Sequence, residues 1–88
     1  MTFDFERSFT KEYERIKNPK LASEINEAIS NVSKAKSIIE IKNLKKIVGH
    51  KTAYRIRTGD YRIGVFIENQ TITFAAFDHR SKIYKRFP

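Results

Sequence analysis

Three arginines that could bind phosphate lie close together in the second half of the sequence. Arg55 and Arg57 are two residues apart in a segment with period-two hydrophobicity, and Arg62 follows across a two-residue turn. If both segments are strands, the alternation of side chains sends all three arginines to one face of a sheet. Guanidiniums at this spacing repel one another, so a bound phosphate would stabilise the cluster. The alternative is an ordinary exposed strand face, on which arginine stems cover apolar surface.

The C-terminal segment 79–88 offers the other groups that RNA cleavage requires. His79, Arg80 and Tyr84 fall within six residues. RNA is cut without a metal when its 2′-hydroxyl attacks the adjacent phosphate, which needs a proton acceptor, cations and a donor for the leaving oxygen. His79 is the natural proton-transfer group near neutral pH, and Tyr84 could hold a base or transfer a proton. Alternatively, His79 caps a strand end and Tyr84 is a core anchor.

The net charge of +8 is unevenly distributed along the 88 residues. Residues 1–41 contain seven basic and seven acidic side chains, whereas residues 42–88 contain eleven basic and three acidic ones, so the second half carries the whole excess. Such asymmetry indicates a polyanion-binding face, and nucleic acid is the commonest polyanion for a small basic domain. A merely soluble basic surface is the alternative.

Composition excludes several classes of protein. There is no cysteine, and the two histidines and scattered carboxylates make a poor metal site, so neither a metal nor another cofactor is expected. No apolar run approaches the roughly 20 residues that span a bilayer, and the N-terminus does not resemble a signal peptide. We therefore expect a single cytoplasmic domain over residues 1–88, with no membrane contact.

Hydrophobic periodicity predicts an α+β fold. A short strand over residues 1–6 precedes two helices, over about 8–17 and 19–35, separated by Asn18-Pro19, a good N-cap followed by a residue suited to the first helical position. Residues 37–48 fit neither period and are interpreted as an irregular or partly helical connector. Residues 51–58, 61–68 and 71–77 alternate, and the short turns between them predict a three-stranded antiparallel meander with the helical hairpin on one face.

Three segments resemble the RelE/ParE toxin superfamily: residues 44–49, the stretch YRIRTGDYRIG at 54–64, and HRSKIY at 79–84. The predicted order of elements matches that fold as well. The resemblance to the RelE-like branch implies a toxin of a type II toxin–antitoxin system that enters the ribosomal A site and cleaves messenger RNA. It also implies an antitoxin encoded beside the toxin, which would wrap and inactivate it. The charge of the chain suits an acidic, partly disordered partner that folds on binding.

Carried over by motif, the working residues of RelE-like nucleases correspond to Arg55, Arg57, Arg62 and Tyr84. The chain departs from the pattern at Asp78, where RelE carries its tail arginine, so His79 or Arg80 would stand in. The basic pair on the first strand of the meander is arginine rather than lysine, which excludes proton transfer by lysine. The expected catalytic set is Arg57, Arg62, His79, Arg80 and Tyr84. The expected RNA-binding residues are Lys45, Lys46, Lys51, Arg55, Lys82, Lys85 and Arg86.

Two alternatives stay open at the level of sequence. One is a ParE-like protein that inhibits DNA gyrase and cuts nothing, which would keep the fold but has no need of an arginine face combined with a tail histidine and tyrosine. The other is a degenerate toxin that only binds its antitoxin. A basic face would survive in such a protein, so charge does not exclude it.

Overall fold

Two helices cover one face of a five-stranded sheet in the computed structural model, which describes residues 1–88. The elements in chain order are β1 (Thr2–Phe5), α1 (Arg7–Glu14), α2 (Pro19–Lys34), β2 (Leu44–Lys46), β3 (Ala53–Thr58), β4 (Tyr61–Glu68) and β5 (Thr71–His79), with short 3₁₀ turns at Ile38–Glu40 and Ile83–Lys85. The strand order is β1-β5-β4-β3-β2. β1 is parallel to β5, and all other pairs are antiparallel. The predicted α+β class and the position of the helices are confirmed.

The sheet contains one strand that the sequence does not predict. β2 lies inside the connector 37–48 and pairs with β3, Leu44 opposite Ile56 and Lys46 opposite Tyr54. Three residues are too few for a hydrophobic period to be visible, so this strand is defined by its partner rather than by its own sequence. The meander therefore has four strands instead of three. The partly helical interpretation of the connector is confirmed only for the turn at Ile38–Glu40.

The break between the helices forms as predicted from Asn18-Pro19. The Asn18 side-chain oxygen accepts hydrogen bonds from the backbone N–H groups of Lys20 and Leu21, and Pro19 occupies the first helical position. These bonds satisfy two donors that have no partner inside the helix. The cap thus fixes where α2 begins and how sharply the chain turns from α1.

Asn18→Ala should lower the free energy of unfolding by about 1 kcal/mol, because both donors lose their side-chain acceptor. Urea denaturation of the two proteins measures this difference. Ser23→Ala, at an exposed position of the same helix, is the matched control and should stay within about 0.5 kcal/mol of the parent. Equal midpoints for Asn18→Ala and the parent would contradict the role of the cap.

Each face of the sheet has its own hydrophobic cluster. The larger one packs against the helices and includes Phe9, Ile25, Ile63 and Phe74. The smaller one lies on the opposite face and consists of Ala53, Ala75, Ala76, Ile83 and Phe87, with Ile47 and Phe66 packed against it. Ile83 and Phe87 are 0% and 4% exposed. The C-terminal tail is therefore anchored to the face that the helices leave open.

Candidate functional site

The cross-strand register brings the predicted arginines to one surface. Arg57 lies opposite Arg62, and Arg55 lies between Lys45 on β2 and Gly64 on β4. Directly opposed residues share a face of the sheet, so all these positions belong to the face opposite the helices. We call Arg55, Arg57, Arg62 and Arg80 the arginine face.

Arg80 and Tyr84 reach this surface because the tail packs on it. The ring of Phe87 lies over Gly64, where a Cβ atom would be 2.5 Å from the ring. Ile83 is buried beside it, and Tyr84, between the two anchors, stays 54% exposed. The alternative interpretation of Tyr84 as a core anchor is therefore wrong, since the anchors are Ile83 and Phe87.

Electrostatics place Arg62 at the centre of the group. Burial lowers its pKa, the positive charges of Arg55, Arg57 and Arg80 lower it as well, and Tyr84 acts in the opposite direction. Such effects fall with distance, so these four side chains lie near the Arg62 guanidinium. A cation surrounded by like charges has most to gain from a bound anion.

The backbone holds Arg62 in a fixed position. Its Nη1 donates to the carbonyl oxygens of Gly59 (3.0 Å) and Tyr61 (2.9 Å), in and beside the β3–β4 turn. Gly59 has a φ of +61°, a left-handed conformation that glycine adopts at little cost. Its other guanidinium nitrogens have no protein acceptor, so Arg62 combines a fixed position with donors available to a ligand.

No carboxylate forms an ion pair with the arginine face. The two ion pairs of the molecule both involve Arg86, which contacts Glu12 and Asp78. Four unpaired guanidiniums beside an exposed phenol can bind the oxygens of a phosphodiester and stabilise negative charge that develops on them.

A groove of about 670 Å³ adjoins the arginine face between α2 and the β3–β4 turn. Arg57, Arg62 and Arg80 line one side, and Glu24 and Glu27 of α2 lie among the residues of the other. A volume of this size is in the range of small-molecule sites in proteins. The arginines therefore border a cleft rather than a flat surface.

His79 does not join the arginine face. It lies opposite Tyr61, so its side chain belongs to the helix-facing side of β5, and the two rings are 5.7 Å apart. Its Nδ1 accepts a hydrogen bond from the Ser81 backbone N–H at 3.2 Å and lies 2.9 Å from the Ser81 hydroxyl. The lone pair that would accept a proton is already engaged, since Nδ1 is the acceptor in this tautomer. The expected grouping of His79 with the arginines is not found.

The predicted RNA-binding lysines are spread over several surfaces. Lys45 lies beside Arg55 on the arginine face, whereas Lys46, opposite Tyr54, points to the other side of the sheet. Lys51 is exposed before β3, and Lys82 and Lys85 are exposed at the two ends of the last 3₁₀ turn. Arg86 is held by its two carboxylate partners. Lys45 is therefore the lysine that extends the arginine face directly.

Two residues that border the site had no predicted role in it. Gly64 provides the space in which Phe87 docks, and Asp78 lies directly opposite Arg62. A glycine inside a strand often marks a close approach of another group, which is the one signal in the sequence that could have identified Gly64. The structure also has no group of three or more metal-ligating side chains and no helix that meets the length and hydropathy of a membrane span.

Comparison with known proteins identifies a relative that matches nearly the whole chain. No family model matches the sequence. The chain is 34% identical over 85 residues to Toxin RelE3 of Methanocaldococcus jannaschii, and the match covers 96% of each protein.

Solved structures with the same fold include two toxin–antitoxin complexes. The RelB-RelE antitoxin-toxin complex from Methanococcus jannaschii matches with a TM-score of 0.76 and 33% identity, over 96% of this chain and 98% of the other. The archaeal RelE-RelB complex from Pyrococcus horikoshii shares the fold with a TM-score of 0.69 at 16% identity, over 92% and 96% of the two chains. The resemblance found in the motifs is confirmed: this chain belongs to the RelE toxin family.

Proposed function

We propose that the protein is the toxin of a type II toxin–antitoxin system and acts as a ribosome-dependent endoribonuclease that cleaves messenger RNA in the A site. The observation that carries the proposal is the cluster of four unpaired arginines centred on Arg62, with the exposed Tyr84 beside it. A surface that only had to be soluble would gain nothing from concentrating like charges in this way.

Arginines supply the electrostatic part of the proposed reaction. When the 2′-hydroxyl attacks the adjacent phosphorus, a bond forms to that oxygen and the bond to the 5′-oxygen breaks, leaving a 2′,3′-cyclic phosphate and a free 5′-hydroxyl. Negative charge builds on the non-bridging oxygens in between. Arg57, Arg62 and Arg80 would neutralise it, and Arg55 with Lys45 would hold the flanking chain.

Two proton transfers complete the step: the proton of the attacking 2′-hydroxyl passes to Tyr84 or to a group of the ribosome–messenger complex, and the leaving 5′-oxygen receives a proton from the other of these two. Arginine cannot release a proton near neutral pH, and His79 faces away from the arginines. Tyr84 is the exposed side chain beside Arg62 that carries a transferable proton, and its ring can also stack on a base.

An antitoxin of the RelB type is the proposed partner. Two solved structures with this fold are toxins in complex with RelB. The net charge of +8 would attract an acidic segment, which could fold on the toxin as it binds.

The direct test adds the purified chain to a reconstituted translation reaction and maps the 3′ ends of the messenger. Cuts at A-site codons that require the ribosome support the proposal. A ribosome-free reaction and a DNA gyrase assay run alongside. Intact messenger together with inhibited gyrase would replace the proposed nuclease function with the ParE-like alternative. Inactivity in both assays with retained antitoxin binding would indicate the degenerate toxin.

The placement of His79 gives a prediction that separates it from Tyr84. Although residue type suggests a proton-transfer role, the register leads us to expect that His79→Gln changes single-turnover cleavage by less than about 3-fold, whereas Tyr84→Phe, which removes only the hydroxyl, slows it by roughly 10-fold or more. Quenched-flow cleavage on programmed ribosomes measures both rates. A drop of about 100-fold in His79→Gln would restore the histidine to the mechanism.

A further inference from the structure

Asp78 is the acidic residue closest in register to the centre of the arginine face. It pairs directly with Arg62 across β4 and β5, so the two side chains leave the same face of the sheet. Directly opposed Cβ atoms in an antiparallel pair are about 4.5–5.5 Å apart, well within reach of an arginine–carboxylate ion pair. Such a pair would neutralise the cation at the centre of the proposed phosphate site.

Both oxygens of Asp78 are nevertheless engaged elsewhere. Oδ1 accepts a hydrogen bond from the His79 backbone N–H at 2.7 Å, and Oδ2 accepts one from Nη1 of Arg86 at 3.2 Å. Arg62 donates to backbone carbonyls instead and forms no ion pair. The carboxylate is therefore held by a competing arginine from the tail.

Glu12 on α1 holds Arg86 in place. Its two carboxylate oxygens accept from Nη2 at 2.7 Å and from Nη1 at 3.1 Å, the fork geometry that fixes a guanidinium most firmly. The hydrogen bond to Glu12 raises the pKa of Arg86, and the contact with Asp78 raises it as well. The first helix, the last strand and the tail thus meet at one charge network beside the arginine face.

We propose that Arg86 is a positioning residue that occupies Asp78 and so keeps Arg62 unpaired and available to phosphate. The inference rests on the proposed function of the arginine face and assigns a role to a residue that does not itself contact the substrate. Without Arg86, Asp78 turns to Arg62 and cancels one phosphate-binding cation.

This role makes a prediction that direct RNA contact and simple tail anchoring do not make. If Arg86 touched RNA, loss of its charge would weaken binding whatever residue stood at position 78. If the ion pair with Asp78 mainly anchored the tail, removal of either partner would weaken binding. If Arg86 sequesters Asp78, removal of Asp78 repairs the loss of Arg86.

The test measures binding of a short single-stranded RNA with 2′-O-methyl groups throughout, which the protein cannot cleave, by fluorescence anisotropy at several salt concentrations. We expect Arg86→Ala to weaken binding about 5- to 10-fold and to lower the salt dependence, because one phosphate contact is lost. Asp78→Asn should bind at least as tightly as the parent. The double variant should return to within about twofold of Asp78→Asn, a coupling that a double-mutant cycle isolates.

Lys85→Ala is the matched control, since it removes the same charge from the neighbouring exposed position. Asp78→Asn should improve its binding no more than it improves the parent. Arg86→Lys keeps a cation over Asp78 and should bind within about threefold of the parent, which keeps the test valid if Arg86→Ala proves unstable in thermal denaturation.

Three results would overturn the inference: Asp78→Asn binding as weakly as Arg86→Ala, no coupling between the two substitutions, or equal rescue of Lys85→Ala. The arginine face itself is tested separately by Arg62→Ala. RNA binding that survives Arg62→Ala unchanged removes the proposed phosphate site. A binding loss in Arg62→Ala without rescue of Arg86→Ala by Asp78→Asn removes only the role of Arg86.

Discussion

Arg62→Ala is expected to reduce single-turnover cleavage on programmed ribosomes by about 10²- to 10³-fold, the usual effect of removing one fixed donor from a site that stabilises developing negative charge. Arg62 is the arginine whose position is set by two backbone carbonyls and whose pKa is influenced by three other arginines and a phenol. Its loss removes the central charge together with the geometry that backbone contact provides. Growth inhibition in cells should disappear with the cleavage.

The fold and antitoxin binding should survive this substitution. Arg62 leaves the sheet on the face away from the larger core, and removal of mutual repulsion with Arg55 and Arg57 offsets the lost hydrogen bonds. Arg62→Lys retains the charge but not the planar guanidinium that donates two parallel hydrogen bonds to a phosphate, so an intermediate rate is expected. Arg7→Ala, an exposed arginine at the start of α1, should cleave at the parental rate. A parental rate in Arg62→Ala would remove Arg62 from the chemistry, and an unfolded product would show that Arg62 serves the fold.

Local sequence patterns were sufficient to predict the arginine face. The alternation of Tyr54 and Ile56 with Arg55 and Arg57 determines which side chains share a face, because a strand has a strict period of two. A turn of two residues then fixes the neighbouring strand and places Arg62 opposite Arg57. Both steps depend on residues close in sequence, which is why they could be taken without a structure.

The position of His79 could not be predicted in the same way. The pairing of β4 with β5 contains an irregularity next to Gly64, where Gly64 lies opposite Ala76 but Val65 lies opposite Phe74. The extra residue in β5 reverses the alternation beyond it, since each side of a bulge has its own register. Strict alternation from Phe74 would have put His79 with the arginines and Asp78 with the core; the bulge exchanges them.

Contacts between side chains of different elements could not be predicted from the sequence either. Glu12, Asp78 and Arg86 lie in α1, β5 and the tail, and nothing in their spacing indicates that they meet. Arg86 was accordingly expected to bind RNA, as an ordinary member of a basic tail. In the structure the Arg86 guanidinium is bound to two carboxylates, and this contact depends on how the first helix, the last strand and the tail pack together.

Gly64→Val should give the second large effect, although the residue bears no functional group. A Cβ at this position would lie 2.5, 2.6 and 2.7 Å from three atoms of the Phe87 ring, so the ring must leave. Valine suits the strand itself, and Gly64 has no need of a left-handed conformation, so the sheet should persist. Displacement of Phe87 exposes its apolar surface, at a cost of about 2 kcal/mol of stability, and removes Tyr84 and Arg80 from Arg62.

Displacement of the tail should slow cleavage by roughly 100-fold, since Tyr84 and Arg80, the proposed proton-transfer and phosphate-binding groups, are then out of reach. Hydrogen exchange reports the displacement independently: the Phe87 amide, bonded to the Ile83 carbonyl at 2.9 Å, should lose protection while the β4 amides keep theirs. Phe87→Ala should reproduce both effects, and Gly64→Val/Phe87→Ala should be no worse than Phe87→Ala, because the clash requires the ring. Cleavage at the parental rate by Gly64→Val, with the Phe87 amide still protected from exchange, would contradict this prediction. It would show that the ring repacks elsewhere and that its packing on Gly64 does not determine where Tyr84 lies.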